Sequence, residues 1–187
     1  MSDQLVERAR RGDVDAFVEL IVARQESMVR IAYAILGEPA DADDALQDAL
    51  TAIWRGLPSL RDPSRFGAWS DRILVNACRL ALRRRSRARA GESSLDVAGN
   101  PVERMAVQRG RGVDVSDEVV DRLAFDRAFA SLDADARAIL VLHHLEGRGV
   151  ADLAAALDVP VGTVKSRLFA ARRGLERALD QESDRAT

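Results

Sequence analysis

The sequence has few of the residues that support disulfides, metal clusters or membrane spans. Cys78 is the only cysteine, so no intramolecular disulfide and no thiolate metal cluster can form. No apolar run reaches the length of a membrane span, and the first residues do not form a signal peptide. We therefore expect a cytoplasmic protein with no stable membrane insertion.

Helix breakers, aromatic side chains and enzyme signatures are scarce as well. The 187 residues include 5 prolines and 4% aromatic residues, while alanine, leucine, valine and arginine dominate. This composition favours helices and predicts an all-α fold. There is no glycine-rich phosphate loop, no metal-binding constellation and no nucleophile paired with a base. No catalytic residue, metal site or cofactor is therefore predicted, and the protein is not expected to be an enzyme.

The net charge of -2 conceals two segments of opposite charge. Residues 31–54 contain five acidic residues and no basic one, whereas residues 79–89 contain six arginines and no acidic residue. Because the charges of the two segments cancel in the net charge, the net charge carries no information about nucleic-acid binding.

Apolar spacing predicts four helices before residue 88. They cover Ser2–Arg11, residues 13–36, a stretch that starts near Asp41, and residues 66–85. Gly37 followed by a proline is a normal helix end. The side chains predicted to face the core recur at three- and four-residue spacing, and they are Phe17, Leu20, Ile21, Met28, Ile31, Ile35, Leu46, Leu50, Ile53, Trp54, Phe66, Trp69, Ile73, Ala77, Leu80 and Ala81.

Polar residues share an outward face on each of the last two of these helices. On the third helix they are Asp41, Asp44, Gln47 and Asp48, and this acidic face is either a solvated surface or a docking surface for a basic partner. On the fourth helix they are Arg72, Asn76, Arg79 and Arg83. Exposed arginines either keep a surface solvated or bind phosphate. The lack of acidic residues between 79 and 89 favours nucleic-acid phosphate.

Glycines and prolines punctuate polar sequence between residues 86 and 117. We predict a flexible linker at residues 89–116, with a loose helical turn at 102–108. Two small helical domains, residues 1–88 and 117–187, flank this linker.

The second domain is predicted to end in a helix-turn-helix. Four helices are expected in this domain. The first covers 117–131, the second begins after the cap Asp133, and the third covers 150–157. The fourth follows the turn at 158–162 and runs to about Asp180, with a frayed tail after it. Gly162 is expected to let the last two helices approach closely. The core of the third-last helix is assigned to Ile139, Leu140, Leu142 and Leu145.

The last helix carries the candidate DNA-reading residues. Its packing stripe is Val164, Leu168, Ala171 and Leu175, so the opposite residues face outward. An outward phenylalanine, Phe169, either lies against a thymine methyl in the major groove or contacts another part of the chain. The polar and basic candidates are Lys165, Ser166, Arg167, Arg172 and Arg173.

Three segments in this order resemble the bacterial RNA polymerase sigma factors of the extracytoplasmic-function class. They are DADDALQDALTAIW (41–54), RFGAWSDRILVNACRLALRRR (65–85) and GVADLAAALDVPVGTVKSRLFAARRGL (149–175). The resemblance covers nearly all of the chain except the linker. It implies a two-module (group IV) factor that binds core RNA polymerase and directs it to promoters.

The resemblance also implies roles for the candidate residues. The acidic face would bind the clamp helices of the largest polymerase subunit, and the polymerase flap would be a further contact. The −10 element would be engaged by Arg61, Arg65, Arg72, Asn76, Arg79 and Arg83. The −35 element would be read by Lys165, Ser166, Arg167, Phe169, Arg172 and Arg173. An anti-sigma factor is a further partner that the resemblance suggests.

The alternative is a free-standing helix-turn-helix regulator with an N-terminal dimerisation or effector domain. Such a regulator needs an apolar, self-complementary surface, where this chain has aspartate and glutamine. The last helix also has only five basic side chains between residues 163 and 177, which is few for tight independent DNA binding.

Overall fold

The computed structural model describes the backbone of residues 3–92 and 117–186, and side chains within 3–88 and 122–185. Within these ranges the protein is helical and has no strand, which confirms the all-α prediction. Most of the predicted linker, including the helical turn at 102–108, lies outside the described residues. None of the described helices is long and apolar enough to cross a membrane.

The N-terminal module consists of five helices. They are α1 (Asp3–Arg10), α2 (Val14–Val22), α3 (Gln25–Leu36), α4 (Pro39–Gly56) and α5 (Phe66–Glu92), with short 3-10 turns at Leu57–Ser59 and Pro63–Arg65. The carboxylate of Asp13 caps α2 by accepting a hydrogen bond from the Ala16 N–H at 3.0 Å. Gly37 ends α3 in the left-handed conformation, with φ 72°.

The prediction of one helix from residue 13 to 36 was wrong, because the chain breaks between α2 and α3. The Arg24 N–H donates to the Ile21 carbonyl at 2.9 Å, which closes the end of α2 with a tight turn. The Arg24 side chain then points inward and is only 7% exposed. Apolar spacing alone does not reveal this break, because it treats an arginine as a surface residue.

The predicted inward faces of α4 and α5 were partly wrong. On α4 the buried face consists of three small residues, Ala42, Ala45 and Ala49, followed by Ile53, while Trp54 is 37% exposed. On α5, Leu80 is 46% exposed, and the buried positions after Phe66 are Ser70, Asp71, Leu74, Val75 and Cys78. The alanine stripe brings the helix backbones close together, and the larger neighbours are moved to the edges of the contact.

Within the described residues, the C-terminal module contains four helices. They are α6 (Asp117–Ala130), α7 (Ala134–Leu140), α8 (Val150–Leu157) and α9 (Val161–Ala186), and one wider π-type turn, Val141–Leu145, extends α7. The carboxylate of Asp133 caps α7 by accepting from the Ala136 N–H at 2.7 Å, as predicted. Asp158 makes the turn before α9 with φ 56°.

Three details of this module differ from the predictions. Leu145 is 64% exposed, because the π-type turn rotates it away from the core. The last helix does not end near Asp180 but continues to Ala186. A Cβ atom at Gly162 would meet no other atom within 4 Å, so this glycine does not mediate a close helix contact. A Cβ at Gly174 would lie 3.2 Å from the side chain of Leu132, in the turn between α6 and α7.

The two modules pack against each other. The helix α5 contacts α8, and α3 contacts α7. The buried apolar side chains of both modules form one continuous cluster. The sequence did not predict this packing, since no local pattern marks a contact between segments so far apart along the chain.

Candidate nucleic-acid interface

The first half of α9 presents its candidate DNA-reading residues to solvent. Val164, Leu168 and Ala171 are buried against the module, and the opposite side is open. Phe169 is 66% exposed, as predicted from its phase on the helix. All the other candidates of this helix are also exposed, namely Lys165, Ser166, Arg167, Arg172 and Arg173. Phe169 therefore does not pack against another part of the described chain.

The polar groups on α9 are held mostly by their own module. The Ser166 hydroxyl donates to the Thr163 carbonyl at 3.0 Å. The Nε of Arg172 donates to Nε2 of His144 at 3.2 Å. Burial lowers the pKa of His144, and the Arg172 charge lowers it further, so the ring stays neutral and accepts this bond. These contacts fix side-chain directions on an otherwise solvated face.

The arginine face of α5, defined as Arg72, Asn76, Arg79 and Arg83, lies at the junction of the modules. The Nε of Arg79 lies 2.8 Å from Oδ1 of Asp135 on α7. Arg72 lies 3.9 Å from the Asp158 carboxylate, in the turn before α9. The Arg79 guanidinium also donates to the Asn76 side chain at 3.0 Å. Arg83 is exposed, as are Arg61 and Arg65 in the preceding loop.

A cleft between the modules brings the two predicted DNA-contact sets together. It has a volume of about 630 Å³, and its walls include Asn76, Arg79 and Arg83 from α5 and Arg167 from α9. Asp135 pairs with one arginine of each set, because its second carboxylate oxygen lies 3.6 Å from Arg167. No local sequence pattern indicated this shared carboxylate.

A buried ion cluster lies beside this cleft and was missed by the sequence analysis. The Asp71 side chain is 1% exposed, forms an ion pair with Arg24 of its own module, and lies 2.9 Å from the Nε of Arg148 in the other module. Burial raises the pKa of Asp71, and the two arginines oppose that effect. The one available signal was that Asp71 lies between the apolar residues Trp69 and Ile73.

A second inter-module contact surrounds Glu146. Its carboxylate accepts hydrogen bonds from the Ser27 hydroxyl and from the Nε of Arg30, the latter at 3.0 Å. These donors and the Arg30 charge outweigh burial and lower the pKa of Glu146, although burial is the largest single influence and acts in the opposite direction. The carboxylate is therefore ionised across the neutral range.

The acidic face of α4 is only partly free. Asp44 and Gln47 are exposed. Asp41 lies 2.9 Å from Arg85, and Asp48 lies 3.0 Å from Arg84, both on α5. Within the described ranges, no group of three or more histidine, cysteine, aspartate or glutamate side chains is arranged to hold a metal ion.

The geometry therefore shows a helix-turn-helix with an exposed cationic helix behind an arginine-bearing helical module. Two family descriptions match these modules: "Sigma-70 region 2" matches residues 20–88, and "Sigma-70, region 4" matches residues 122–175. The RNA polymerase sigma-H factor of Pseudomonas aeruginosa is 31% identical over 183 residues, which cover 94% of this chain and 92% of that protein. The ECF RNA polymerase sigma-E factor of Escherichia coli K12 is 32% identical over 184 residues, with 94% and 93% covered.

The chain belongs to the extracytoplasmic-function class of RNA polymerase sigma factors. The family resemblance predicted from the sequence is thus confirmed, and the alternative of a free-standing regulator is not supported. As a sigma factor, the protein is a transcription initiation factor that acts with core RNA polymerase at promoter DNA.

Experimentally determined structures agree with this assignment. The structure of CnrH in complex with the cytosolic domain of CnrY has a TM-score of 0.68 and 27% identity, and covers 96% of this sigma factor and 97% of CnrH. The sigma factor RpoE in complex with the anti-sigma factor NepR from Bartonella quintana has a TM-score of 0.65 and 26% identity, and covers 88% and 96%. The fold therefore has counterparts among solved structures, one of which is that of a sigma factor.

Proposed function

We propose a division of labour between the modules of this sigma factor. The domain at residues 1–88 binds core RNA polymerase and the promoter −10 element, the domain at 117–187 reads the −35 element, and residues 89–116 link them. The single observation that carries this proposal is the pair of cationic surfaces on separate modules. One of them, on α9, belongs to a helix-turn-helix.

The −35 contact is assigned to α9. Phe169 is the decisive side chain, because 66% of a phenylalanine is exposed amid cationic neighbours where it contributes little to folding. An apolar ring on a major-groove helix is suited to the methyl group of thymine. Lys165, Arg167, Arg172 and Arg173 surround it with positive charge, and Ser166 adds a small polar contact.

The −10 contact is assigned to the arginine face of α5 and to Arg61 and Arg65 in the loop before it. Guanidinium groups hold phosphates through paired N–H donors, and Asn76 between them can bond a base edge. An unpaired −10 base captured by this face would offset the free energy of unstacking with new contacts. Promoter melting would then be driven by binding alone, without a catalytic group.

Two surfaces of the protein are assigned to polymerase docking. The helix α4 is assigned to the clamp helices of the core enzyme, and the C-terminal module is assigned to its flap. The exposed Asp44 and Gln47 suit a basic partner such as the clamp helices of the largest subunit. Asp41 and Asp48 belong to the same face, although Arg85 and Arg84 partly neutralise them. The flap of the polymerase is the proposed partner of the C-terminal module.

An anti-sigma factor is the proposed regulatory partner. Both structural neighbours are complexes with a second protein, and one of these partners is an anti-sigma factor. A partner of this kind would have to cover the acidic face of α4 or the faces of α5 and α9. The factor itself is proposed to work in the cytoplasm, where its polymerase and promoters are.

Run-off transcription with purified core polymerase on a promoter library tests this function. We expect transcripts from a subset of templates that share a −35 and a −10 sequence, and none with core polymerase alone. Failure of the full-length protein to bind core polymerase in a pulldown, or transcription without template preference, would contradict the proposal.

A further inference from the structure

The π-type turn at Val141–Leu145 places two adjacent histidines beside the first half of α9. The Nδ1–H of His143 donates to the carbonyl oxygen of Arg148 at 3.0 Å, which fixes the first ring against the backbone. The second ring, that of His144, is in edge-to-face contact with the first, with the ring centroids 4.9 Å apart. Its Nε2 accepts the Nε–H of Arg172 at 3.2 Å. A chain of contacts thus runs from the backbone of the loop before α8 to a candidate −35 residue.

The hydrogen bond from Arg172 leaves one end of its guanidinium open to another partner. Among the described residues, His144 is the only side chain that bonds Arg172, and it occupies only the Nε–H. The N–H groups on Nη1 and Nη2 remain, and such a pair of nitrogens binds two acceptor atoms of a phosphate or of a guanine edge. An arginine side chain carries about 2 kcal/mol of rotamer entropy, so an arginine that is already held loses less of it on binding.

The partner of Arg172 differs in charge from the partners of the neighbouring arginines on α9. Arg167 lies 3.6 Å from the carboxylate of Asp135, and Arg173 lies 3.9 Å from a carboxylate of its own helix. A carboxylate orients an arginine, but it also offsets the positive charge and competes with phosphate for the same N–H groups. A neutral imidazole accepts one hydrogen bond and offsets no charge. Arg172 is therefore held in place with its full positive charge available to an anion.

We propose that His144 is a positioning residue of the −35 interface, which in its neutral form holds the Nε of Arg172 so that Nη1 and Nη2 face an acceptor on the DNA. Protonation of the ring removes the lone pair of Nε2 and adds a like charge next to the guanidinium. Arg172 is then released and has to be ordered by the DNA alone. This inference rests on the proposed −35 contact of α9.

Acidification should therefore weaken promoter binding through His144. The groups that act on this ring by their charge are Arg172 on α9 and His143 in its own turn; among the described residues, none from α3, α7 or α8 does so. Burial, and next the Arg172 charge, lower the pKa of His144 below its ordinary value of 6.5. The neutral ring and the held arginine are present above this lowered pKa, and both are lost as pH falls through it. A histidine that contacted phosphate directly would show the opposite trend, because phosphate favours the protonated ring.

Promoter binding by the holoenzyme, assembled from the full-length factor and core polymerase, tests this role. His144→Ala removes the acceptor and is expected to weaken duplex binding about threefold at about pH 7.5, the effect of one ordinary hydrogen bond. His144→Gln supplies an amide oxygen that accepts the Nε–H and does not titrate, so it should restore most of the affinity. Between about pH 7.5 and about pH 5.5, the wild type should lose about threefold in affinity relative to His144→Gln. This ratio removes the pH dependence of the polymerase itself.

The matched background for these variants is Arg172→Ala. In this background His144→Ala should have no further effect, because both substitutions remove the same contact. The same comparison on a duplex with a scrambled −35 sequence separates the two possible acceptors. Equal coupling on both duplexes identifies phosphate, coupling confined to the −35 sequence identifies a base edge, and either result supports the positioning role. Equal losses from His144→Ala with and without Arg172 would overturn it, as would tighter binding by the wild type in acid.

The contact itself can be tested without DNA, because the protein contains only two histidines. A nuclear magnetic resonance titration of the full-length protein measures the pKa of His144, whose ring signals are assigned by their loss in His144→Gln. Arg172→Ala should raise this pKa toward 6.5, and an unchanged pKa would overturn the inference, since the contact would then not form in solution. If the pKa rises but Arg172→Ala leaves promoter binding unchanged, the contact stands, and the inference fails together with the proposed −35 role of Arg172.

Discussion

The recognition face of α9 and the arginine face of α5 carry similar side chains but differ in what covers them. On α9, Phe169 and its neighbours are exposed; Arg167 lies 3.6 Å from Asp135, and Arg173 lies 3.9 Å from Glu176 on the same helix. On α5, Arg72 and Arg79 pair with carboxylates of the other module, and Arg79 lines the cleft between the modules. The candidate −35 residues on α9 are thus open to solvent, whereas Arg72 and Arg79, two of the candidate −10 residues, are already paired with carboxylates.

This difference has a physical origin in the helices themselves. The helix α9 buries one narrow apolar stripe and leaves the rest of its surface to solvent. The helix α5 packs against α3 and α4 on one side and α8 on another, so its polar residues also enter contacts. Ion pairs with an adjoining module are the means by which such a helix keeps its arginines satisfied.

Removal of the buried arginine that pairs with Asp71, next to the arginine face of α5, should have the largest effect on stability. Arg24→Gln leaves Asp71, which is 1% exposed, with Arg148 as its one remaining cation, and is expected to lower the free energy of unfolding by about 3 kcal/mol at pH 7. Urea unfolding measures this loss. The matched control is Arg8→Gln, whose partner Asp13 is partly exposed, with an expected loss below ~1 kcal/mol.

The same variant has a predicted pH dependence. Burial already raises the pKa of Asp71, and loss of the Arg24 charge raises it further. A carboxyl whose pKa is raised on folding favours the protonated native state, so its contribution to stability is lost as pH rises through that pKa. The destabilisation by Arg24→Gln should therefore be smaller at pH 5 than at pH 7, and an equal loss at both values would contradict this account.

The next largest effect should come from a substitution on the arginine face of α5 itself. Arg79→Ala is expected to slow open-complex formation by the holoenzyme on intact duplex by about tenfold, because one guanidinium contact to DNA is lost. Arg11→Ala, which removes an exposed arginine of the same module, is the control. A pre-melted template should show a smaller defect. No defect on intact duplex would mean that the arginine face only keeps this surface solvated.

The exposed candidate residues of α9 are tested by Phe169→Ala. We expect a loss of about 1 kcal/mol, or fivefold, in −35-dependent binding, with a change in unfolding free energy below ~0.5 kcal/mol because the ring is 66% exposed. Phe125→Ala is the control, since this ring is 45% exposed and stacks on Phe129 within the same module. A comparable loss of stability and binding in Phe169→Ala would make the ring structural.

The smallest effect is expected on the acidic face of α4. Asp48→Arg reverses a charge that already pairs with Arg84 at 3.0 Å, and both side chains are more than half exposed. We expect roughly threefold weaker binding of core polymerase at physiological salt, and a larger effect at low salt. Asp15→Arg on α2 makes the same charge change elsewhere, and equal binding by the two variants would count against this interface.

Local sequence signals predicted the parts of the structure that depend on local physics. Asp133 caps its helix as expected, and the bounds of α8 match the prediction. The buried stripe of α9 and the exposure of Phe169 followed from helical phase.

The errors arose where tertiary contacts override residue type. Trp54 and Leu80 are large and apolar, yet small residues such as Ala45 and Ala49 occupy the closest helix contacts. Arg24 interrupts a helix because it has a buried partner 47 residues away. The pairing of Asp135 with Arg79 spans 56 residues and both modules, so no window of sequence contains it.

The length of α9 gives the C-terminal module a mechanical property. This helix runs unbroken from Val161 to Ala186, about 39 Å for its 26 residues. Its recognition residues lie in the first half, while Glu182 near the other end lies 3.8 Å from Arg127 of α6. A continuous helix has no hinge, so a protein that binds its distal turns or α6 would set the angle at which Phe169 makes the proposed −35 contact. Promoter preference would then depend on a surface that does not itself touch DNA.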